Sequence, residues 1–473
     1  MNSKKTTYYS YGNTFKSTAE VFFPTSISEL KAVIDSCKQE NRKITLAGSF
    51  NSFDRQNSGN DVVISFKHFN EITYNKEAHT LTVGPGAKWG NILTTAYEHQ
   101  CTLYTCITGT NPSAGGTLSV HAHSMWAPGV GKDGTHCLSF DIVTPNGQLL
   151  TCSRQENTEL FYGAISGFGM LGFIVEITYQ VFYVGAHFQI DITTQTYHDI
   201  EEIETRLDLR KSPSFEQLED IKSQSTLFYH EKGQPKFCIY NRQYKRVEKK
   251  KKDSKLRFYN SVIANGFIRF FPNAANNVLI KDSARPLEKK WLLQGLNSFK
   301  HGTFWADPDY YWTKYMSQLL RPFGYKTHLY QMTHFIPFGG DKVTVFTKKV
   351  YELLDKYKLK YCMFDVMYIP KDEPFVLSAS RYSDGFYVNT TFMDYVKKET
   401  LMSFYKELNL LCYEMKGKIY LAKNCFIESE LLEKMHRTEI EEFVQLKAKY
   451  DPNNLLVSNF FNIHFPSYFG VDT

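Results

Sequence analysis

Several familiar signatures are missing from this chain of 473 residues, and each absence excludes a class of protein. No run approaches the roughly 18 uninterrupted apolar residues that a membrane-spanning helix needs. A GxSxG elbow, a Walker loop and an HExxH motif are all absent, which removes the signatures of serine hydrolases, P-loop nucleotidases and zinc proteases. The opening residues lack an apolar core and a small-residue cleavage site, so no signal peptide is expected.

Cysteine and net charge are sparse for a chain of this length. The nine cysteines are irregularly spaced and odd in number, which favours buried thiols in a reducing compartment and hence a cytoplasmic location. A net charge of +6 is too small to indicate a nucleic-acid partner. With 42% hydrophobic and 22% charged residues, the chain is predicted to be globular and to form two lobes.

Aromatic residues, by contrast, are abundant and make up 15% of the chain. Such a surplus suits a protein that lines a large cavity or packs against a flat ligand. An aromatic-rich core explains the surplus equally well.

The first third of the chain alternates predicted strands with helices. Ser26-x-x-Glu29 is a candidate capping box, and apolar residues follow it at helical spacing as far as Cys37. Asn146-Gly147 predicts a tight hairpin turn, because this pair tolerates positive φ angles. The predicted strands are residues 43–47, 61–65, 80–83, 138–143, 148–152 and 173–184.

The composition changes at about residue 186 and changes back at about 415. Residues 242–257 hold nine Lys or Arg, and a solvated loop is the plainest interpretation. The alternative is peripheral contact with an anionic membrane surface, at roughly 1 kcal/mol per nearby basic residue. A module whose main function is docking to membrane or nucleic acid through this segment is a further hypothesis. After 415 a strand is predicted at 418–422 and a helix near 438–450.

Three glycine-rich loops stand out. Gly167-Phe-Gly169-Met-Leu-Gly172 matches the GxGxxG dinucleotide fingerprint, but a helical stretch precedes it and a strand follows, which is the reverse of what that motif needs. Its glycines still permit close backbone approach. The loops at 47–52 and 109–119 can form anion-binding nests from backbone N–H groups. Together the three loops would suit two phosphates and a flat ring.

His121 and His123 would point to one side if they lay in a strand, with His136 and Cys137 nearby in the sequence. No carboxylate or CxxC motif completes a zinc site there. We therefore predict no metal and interpret these histidines as polar lining residues.

These three loops, in this order and spacing, resemble the FAD domain of the vanillyl-alcohol oxidase/p-cresol methylhydroxylase (PCMH-type) family. The chain is most similar to the decaprenylphosphoryl-ribose 2′-oxidase group, with sugar-lactone and alditol oxidases next. The resemblance implies an α+β fold, a two-lobed PCMH-type FAD-binding domain with an inserted α+β substrate domain. It divides the chain into 1–185 (FAD domain, N-terminal part), 186–415 (substrate domain) and 416–473, which rejoins the FAD domain.

The same resemblance implies which residues contact FAD and substrate. The expected FAD contacts are Ala47, Gly48, Ser49, Phe50, Asn51, Ser52, Gly109, Thr110, Ser113, Gly115, Gly116, Ser119, Gly167, Gly169, Gly172, Ile174 and Tyr420. The expected substrate contacts are Gln331, Thr333, Tyr368 and Asn389. Many relatives attach the flavin through a His in the first loop, and this chain has Asn51 there, so non-covalent FAD is expected.

Some substrate-domain positions depart from the family patterns. Alditol and lactone oxidases have a Glu-x-Arg pair where this chain has Gln331-Met-Thr333, which favours the decaprenylphosphoryl-ribose group. The active-site Cys and the substrate-domain Lys of that group align with Asn389 and Tyr368. The resemblance therefore implies either a different sugar-like substrate or a flavin-binding protein with altered catalysis.

The expected reaction is oxidation of a secondary alcohol on a sugar-like, or lipid-linked sugar, substrate by hydride transfer to flavin N5. Lys423 is the first catalytic candidate, as proton acceptor if burial lowers its pKa or as electrostatic partner if it stays charged. His123 is the second candidate. Tyr420 and Lys423 reach one site only if their strand ends or bulges between them. Oxygen and a partner reductase both remain open as the reoxidant, and a sugar-lactone or polyol oxidase is the alternative activity.

Overall fold

The computed structural model describes residues 3–59, 61–105, 107, 111–186, 188–210, 222–231, 234–246, 248, 328–359, 361, 363–393 and 396–470. Most of the basic segment 242–257 lies outside these ranges, and so do Gly109 and Thr110 of the predicted FAD site. Helices and sheets are mixed along the described chain, which agrees with the predicted α+β class.

The first sheet has four strands in the order β1-β2-β4-β3, with one antiparallel pair and two parallel pairs. Its strands are β1 (Ser3–Tyr9), β2 (Lys16–Phe22), β3 (Ile44–Ala47) and β4 (Val62–Ser65). Helix α1 (Ile27–Gln39) packs its buried apolar side chains against this sheet. The Glu29 N–H donates to Ser26 Oγ at 3.2 Å, so the predicted helix start is confirmed.

The second sheet has the order β5-β6-β10-β8-β9, and β7 pairs with the far end of β10. Its strands are β5 (Ile72–Asn75), β6 (Thr80–Val83), β7 (Cys101–Leu103), β8 (Cys137–Val143), β9 (Leu149–Ser153) and β10 (Phe173–Tyr183). Gly147 has a φ of +83° in the turn between β8 and β9, which confirms the predicted hairpin. Helices α2 (Trp89–Glu98), α3 (Ala114–Ser119) and α5 (Thr158–Ala164) contact this sheet, whereas α4 (Ala127–Val130) contacts strands of the two later sheets.

Two further sheets follow in the chain. The third has the order β11-β13-β12, and the fourth has the order β15-β16-β14-β17. The elements are β11 (Phe188–Tyr197), α6 (Ile203–Leu207), β12 (Lys222–Glu231), β13 (Gln234–Arg246), β14 (Leu329–Pro337), α7 (Lys342–Lys356), β15 (Met363–Ile369), β16 (Gly385–Met393), α8 (Lys398–Glu414) and β17 (Lys418–Ile419). Helices α7 and α8 contact β14, so they cover one face of the fourth sheet.

The last part of the chain contacts both the fourth sheet and the first. It contains α9 (Ser429–Tyr450), α10 (Asn459–His464) and α11 (Pro466–Phe469). β17 pairs with β14, whereas Ile44 of β3 donates to Leu455 O and accepts from the Val457 N–H, at 2.8 and 2.9 Å. The domain boundaries proposed from the sequence stay a prediction. Among the described residues, no helix combines the length and apolar character needed to cross a bilayer.

The predicted strand at 418–422 is too long. β17 ends at Ile419, and the chain then turns, with the Tyr420 N–H donating to Thr333 O at 3.0 Å and the Lys423 N–H donating to Tyr420 O at 3.3 Å. This turn removes the objection that Tyr420 and Lys423 would lie on opposite sides of one strand.

Candidate active site

The first two small-residue loops lie in direct contact. A Cβ added to Gly48 would be 2.1 Å from Ser113 Oγ, and one added to Gly115 would be 2.6 Å from the Pro85 side chain. Only glycine allows this approach. The remaining predicted FAD contacts of the loops are at the end of β3 and along α3, namely Ala47, Ser49, Phe50, Asn51, Ser52, Gly116 and Ser119.

The third loop connects α5 to β10, so the helix precedes the glycines and the strand follows. Rejection of the dinucleotide fingerprint is therefore confirmed. Gly169 has a φ of +74°, which favours glycine, and the Phe168 N–H donates to Ser119 O at 2.8 Å. This bond joins the third loop to the end of α3. The same region contains Gly167, Gly172 and the buried Ile174.

The residues at the junction of these loops fit a dinucleotide with a pyrophosphate. Lys88 Nζ donates to Ser49 Oγ at 2.9 Å and to Asn111 O at 3.3 Å, which places a cation between the first and second loops. Ser113 Oγ is buried and has no hydrogen-bond partner within the described residues, so a donor is left over for a ligand. Sequence reasoning missed Lys88, although Gly84-Pro-Gly86 directly before α2 is a signal for close backbone approach.

Aromatic rings connect the loops to the fourth sheet. The centroid of the Tyr420 ring is 4.8 Å from that of Tyr387 and 5.1 Å from that of His123. Tyr420 OH donates to His121 O at 3.3 Å. Tyr420 and His123, both predicted for the site, are therefore brought together between the second loop and β16.

One face of the fourth sheet carries a row of polar side chains. Thr333, Asn389 and Asp365 are directly opposite one another on β14, β16 and β15, and their side chains therefore share a face. Thr333 Oγ1 donates to Asn389 Oδ1, and Asn389 Nδ2 donates to Asp365 Oδ2 at 2.9 Å. Gln331 is two residues from Thr333 on the same face, where its Nε2 donates to Thr391 Oγ1 at 3.2 Å. We call these residues, Gln331, Thr333, Asn389 and Asp365, the polar row.

Tyr368 is not part of this site. It lies three residues after Asp365 on β15, so the alternation of a strand turns its side chain to the opposite face. There its ring contacts Phe386, with centroids 5.9 Å apart. The structure thus brings together three of the four predicted substrate contacts, Gln331, Thr333 and Asn389, and leaves Tyr368 apart.

Lys423 faces the polar row. Its Nζ is 4.1 Å from the centroid of the Phe53 ring, and its charge acts on both Asp365 and His123. Burial lowers the pKa of Lys423 to about 8, while the negative charge of Asp365 acts in the opposite direction. Lys423 is therefore mostly protonated at neutral pH, and of its two predicted roles this favours the electrostatic one.

Asp365 and His123 are titratable neighbours of this lysine. Burial raises the pKa of Asp365 to about 7, against the opposing effects of Asn389 and Lys423. For His123, burial and the positive charges of Lys423 and Lys132 hold the pKa well below its usual range. Sequence reasoning missed Asp365, although a lone carboxylate inside the apolar run MFDVMYI (363–369) was a visible signal.

A second Lys–Asp pair lies behind the aromatic rings. Lys132 Nζ is 2.7 Å from Asp372 Oδ2 and also donates to Ser378 Oγ and to Tyr387 OH. His121 Nε2 is 3.2 Å from Asp372 Oδ1, and His121 Nδ1 accepts from the Gly134 N–H. The two ring nitrogens of His121 thus lie against Asp372 and the Gly134 backbone. Across the residues that the structure describes, no group of three His, Cys, Asp or Glu side chains is arranged to hold a metal ion.

Comparison with known proteins identifies the cofactor. Residues 18–153 match the FAD binding domain family, and residues 342–464 match the D-arabinono-1,4-lactone oxidase family. The chain carries an FAD-binding domain, and the expectation of FAD is confirmed. The loops at 47–52 and 113–119 and Lys88 all lie inside the first matched segment, and Asp365, Asn389 and Lys423 lie inside the second.

Individual relatives are FAD-linked or sugar-oxidising proteins. The chain is 25% identical over 175 residues to L-gulonolactone oxidase of Bos taurus, covering 37% of this chain and 40% of the relative. It is 24% identical over 191 residues to D-arabinono-1,4-lactone oxidase of Debaryomyces hansenii, covering 37% and 34%. It is 34% identical over 130 residues to xylooligosaccharide oxidase of Thermothelomyces thermophilus, covering 26% and 25%. The matched stretch is thus at most two fifths of each relative's length.

Proposed function

We propose that this protein is an FAD-dependent oxidoreductase that oxidises a secondary alcohol of a sugar-like substrate. The observation that carries the proposal is the convergence of Lys423 with the polar row, next to His123 and Tyr420 of the FAD-binding side. Sugar hydroxyls need several donors and acceptors at fixed spacing, and the row supplies amide, hydroxyl and carboxylate groups on one rigid sheet face.

One group of residues binds the cofactor and another binds the substrate. The three glycine-rich loops and Lys88 hold FAD, and bound FAD supplies the acceptor for a hydride from the carbinol carbon. Gln331, Thr333 and Asn389 orient the sugar hydroxyls. The Lys423 ammonium stabilises negative charge on the alcohol oxygen as its proton leaves, and this interaction is strong because the site is largely buried.

The test is reduction of the bound flavin under anaerobic conditions. The purified protein is mixed with a panel of aldoses, polyols, sugar lactones and lipid-linked pentoses, and the flavin absorbance is followed. At least one sugar of the panel that carries a secondary hydroxyl group should bleach the flavin. A flavin that dithionite reduces but no member of the panel does would contradict the proposal and would support the alternative of a flavin-binding protein with altered catalysis.

A sugar-lactone oxidase is the second candidate, because residues 342–464 match that family. The same panel separates the two, since a lactone oxidase should be reduced faster by lactones than by the corresponding sugars. This chain has Gln331 and Thr333 in place of the Glu-x-Arg pair, which favours sugars that bear no lactone carbonyl. The same two residues support the proposal that the chain is most similar to the decaprenylphosphoryl-ribose group.

We further propose that FAD is held without a covalent bond, because an amide at Asn51 cannot form one. Acid precipitation should release all the yellow colour into the supernatant. Flavin absorbance that stays with the washed, denatured chain would contradict this.

A further inference from the structure

Oxidation of an alcohol needs an acceptor for the hydroxyl proton, and Lys423 is a poor acceptor because it already carries a proton at neutral pH. We propose that Asp365 is that acceptor, with its Oδ1 atom taking the proton while Lys423 stays charged beside it. This assignment rests on the proposed function and adds to it a catalytic residue that the sequence did not reveal.

The geometry leaves one oxygen of Asp365 available. Its side chain belongs to a residue only 8% exposed, and its Oδ2 accepts from Asn389 Nδ2 at 2.9 Å. In this arrangement Asn389 Oδ1 accepts from Thr333 Oγ1 and Asn389 Nδ2 donates, so Asp365 Oδ2 acts as an acceptor. Oδ1 has no hydrogen-bond partner among the described residues, so a proton on this carboxyl group resides on Oδ1.

A buried carboxylate oxygen without a partner is costly, and such groups mark sites where a ligand supplies the missing contact. Asp365 shares its sheet face with Asn389 and with Tyr387, whose ring contacts both His123 and Tyr420. Oδ1 is therefore on the side of the sheet that carries the site. No direct ion pair joins the two described side chains Lys423 and Asp365, although the charge of each acts on the other.

The surrounding charges favour Asp365 over His123 as acceptor. The charged group that acts on Asp365 is Lys423, after β17, and the same lysine also acts on His123, after α3. A protonated Lys423 stabilises a carboxylate but opposes a second cation on His123. The pKa of Asp365, at about 7, is also higher than that of His123, so the carboxylate is the stronger base at neutral pH.

The proposed step moves one proton and one hydride from the substrate. The O–H bond of the substrate breaks and its proton moves to Asp365 Oδ1, while the electron pair of that bond forms the second bond of the product carbonyl. The hydrogen on the carbinol carbon leaves with both electrons of its C–H bond, and bound FAD is the two-electron oxidant that receives them. The proton on Asp365 is then lost to solvent.

The first test is Asp365→Asn in the FAD-loaded full-length protein. Asparagine keeps the shape and the bond from Asn389 but cannot take the proton, so the rate of flavin reduction by a substrate alcohol should fall by about 10²–10⁴-fold. The flavin spectrum and its reduction by dithionite should be unchanged. Asp384→Asn is the matched control, because Asp384 Oδ1 accepts from the Lys371 N–H just before β16 and away from the row.

Two results separate this assignment from the proposed function. A wild-type flavin that no alcohol reduces overturns the proposed function, whereas equal reduction rates in the wild type and Asp365→Asn overturn only the role of Asp365. Formate should restore part of the rate to Asp365→Ala, in proportion to its concentration, because a free carboxylate replaces the missing acceptor. No rescue at any formate concentration, in a variant that binds FAD normally, counts against the assignment.

A readout that does not need turnover is the infrared carbonyl stretch of a protonated carboxyl group. In the resting FAD-loaded protein this band should grow as the pH falls through about 7, with contributions from Asp365 and from Asp133, whose pKa burial also raises to about 7. Asp365→Asn should reduce the amplitude of the band, whereas Asp384→Asn should leave it unchanged. A band of the same amplitude in both variants would show that Asp365 is not the group that takes up the proton.

Discussion

Two Lys–Asp pairs close to the candidate site, Lys132–Asp372 and Lys423–Asp365, differ in their contacts and in the pKa of their carboxylates. Lys132 and Asp372 form a direct ion pair, and Asp372 also accepts from Ser378 and Ser380. Lys132 and His121 hold the pKa of Asp372 well below its usual range despite burial. The described side chains of Lys423 and Asp365 form no direct ion pair, and burial brings their pKa values to about 8 and about 7.

The difference shows how the number of hydrogen-bond donors around a buried carboxylate determines whether it can change its charge state. A carboxylate with several donors is fixed in one charge state and holds structure together. A carboxylate with one donor and an unpartnered oxygen can change its charge state near neutral pH, which is what proton transfer requires. We therefore infer that the first pair is structural and that the second, under the proposed function, is reactive.

The largest expected effect is on the structural pair. Lys132→Met should lower the free energy of unfolding by about 3–5 kcal/mol, because it leaves the Asp372 carboxylate buried without its main counter-charge. Urea unfolding of the FAD-loaded protein measures this. Lys348→Met, which breaks an exposed pair with Glu201, should cost only about 0–1 kcal/mol. Equal stability losses in the two variants would contradict the structural role.

The next effect is on the reactive pair. Lys423→Met should slow flavin reduction by about 10²–10³-fold, because the developing negative charge on the alcohol oxygen loses its cation. Stopped-flow absorbance in the absence of oxygen measures the rate, and FAD content should not change. Lys406→Met, at an exposed pair with Glu428, is the control. If Lys423→Met reduces as fast as this control, Lys423 has no part in the chemistry.

The two carboxylates should also give stability curves of opposite slope. The folded pKa of Asp372 is lowered, so its contribution is present above an unfolded pKa of about 4 and is lost as the pH falls further. The folded pKa of Asp365 is raised to about 7, so its contribution is present below about 4 and is lost as the pH rises through 7. Urea unfolding at a series of pH values measures both curves.

The asparagine variants isolate these contributions. Relative to the wild type, Asp372→Asn should reduce the fall in stability on the acid side, to which Asp54 with its lowered pKa also contributes. Asp365→Asn should reduce the fall between about pH 4 and pH 7, to which Asp133 also contributes because burial raises its pKa to about 7. If both variants change the curve in the same window, the contrast between the pairs is wrong.

The smallest expected effect is on kcat/KM, and it tests which face of the fourth sheet carries the site. Tyr368→Phe should change kcat/KM by less than about twofold, because that side chain lies on the far face of the sheet. Gln331→Met, on the site face, should lower kcat/KM by about tenfold, the equivalent of one hydrogen bond. Steady-state kinetics with the best substrate of the panel measure both. A larger loss in Tyr368→Phe than in Gln331→Met would reverse the assignment of faces.

Local structure was largely predictable from the sequence. The Ser26 cap, the hairpin at Asn146-Gly147 and six of the ten strands of the first two sheets depend on short-range patterns, and they form where those patterns indicate. Strands β1, β2, β5 and β7 were not predicted. The reversed order of helix and strand around Gly167 was predictable for the same reason. FAD itself was expected from the resemblance of the three local loops to those of the PCMH-type family.

The site on the fourth sheet was only partly predictable. Asn389 and Tyr368 were both named by resemblance, but period-two alternation on paired strands puts them on opposite faces. Asp365 joins Thr333 only through the registers of two strand pairs, and no single-sequence pattern encodes such registers. The early end of β17 depends on the bond from Tyr420 to Thr333, a contact between distant parts of the chain.

The bond between Thr45 Oγ1 and Val457 O spans 412 residues, and the backbone bonds of Ile44 close the same edge. At 5–20 residues per second, a ribosome needs roughly 20–80 s to add that length. The strand next to the first glycine-rich loop therefore lacks its final neighbour for that time. A nascent chain that stops before residue 455 should be unable to retain flavin, so cofactor capture has to wait until residues 455–457 have been added.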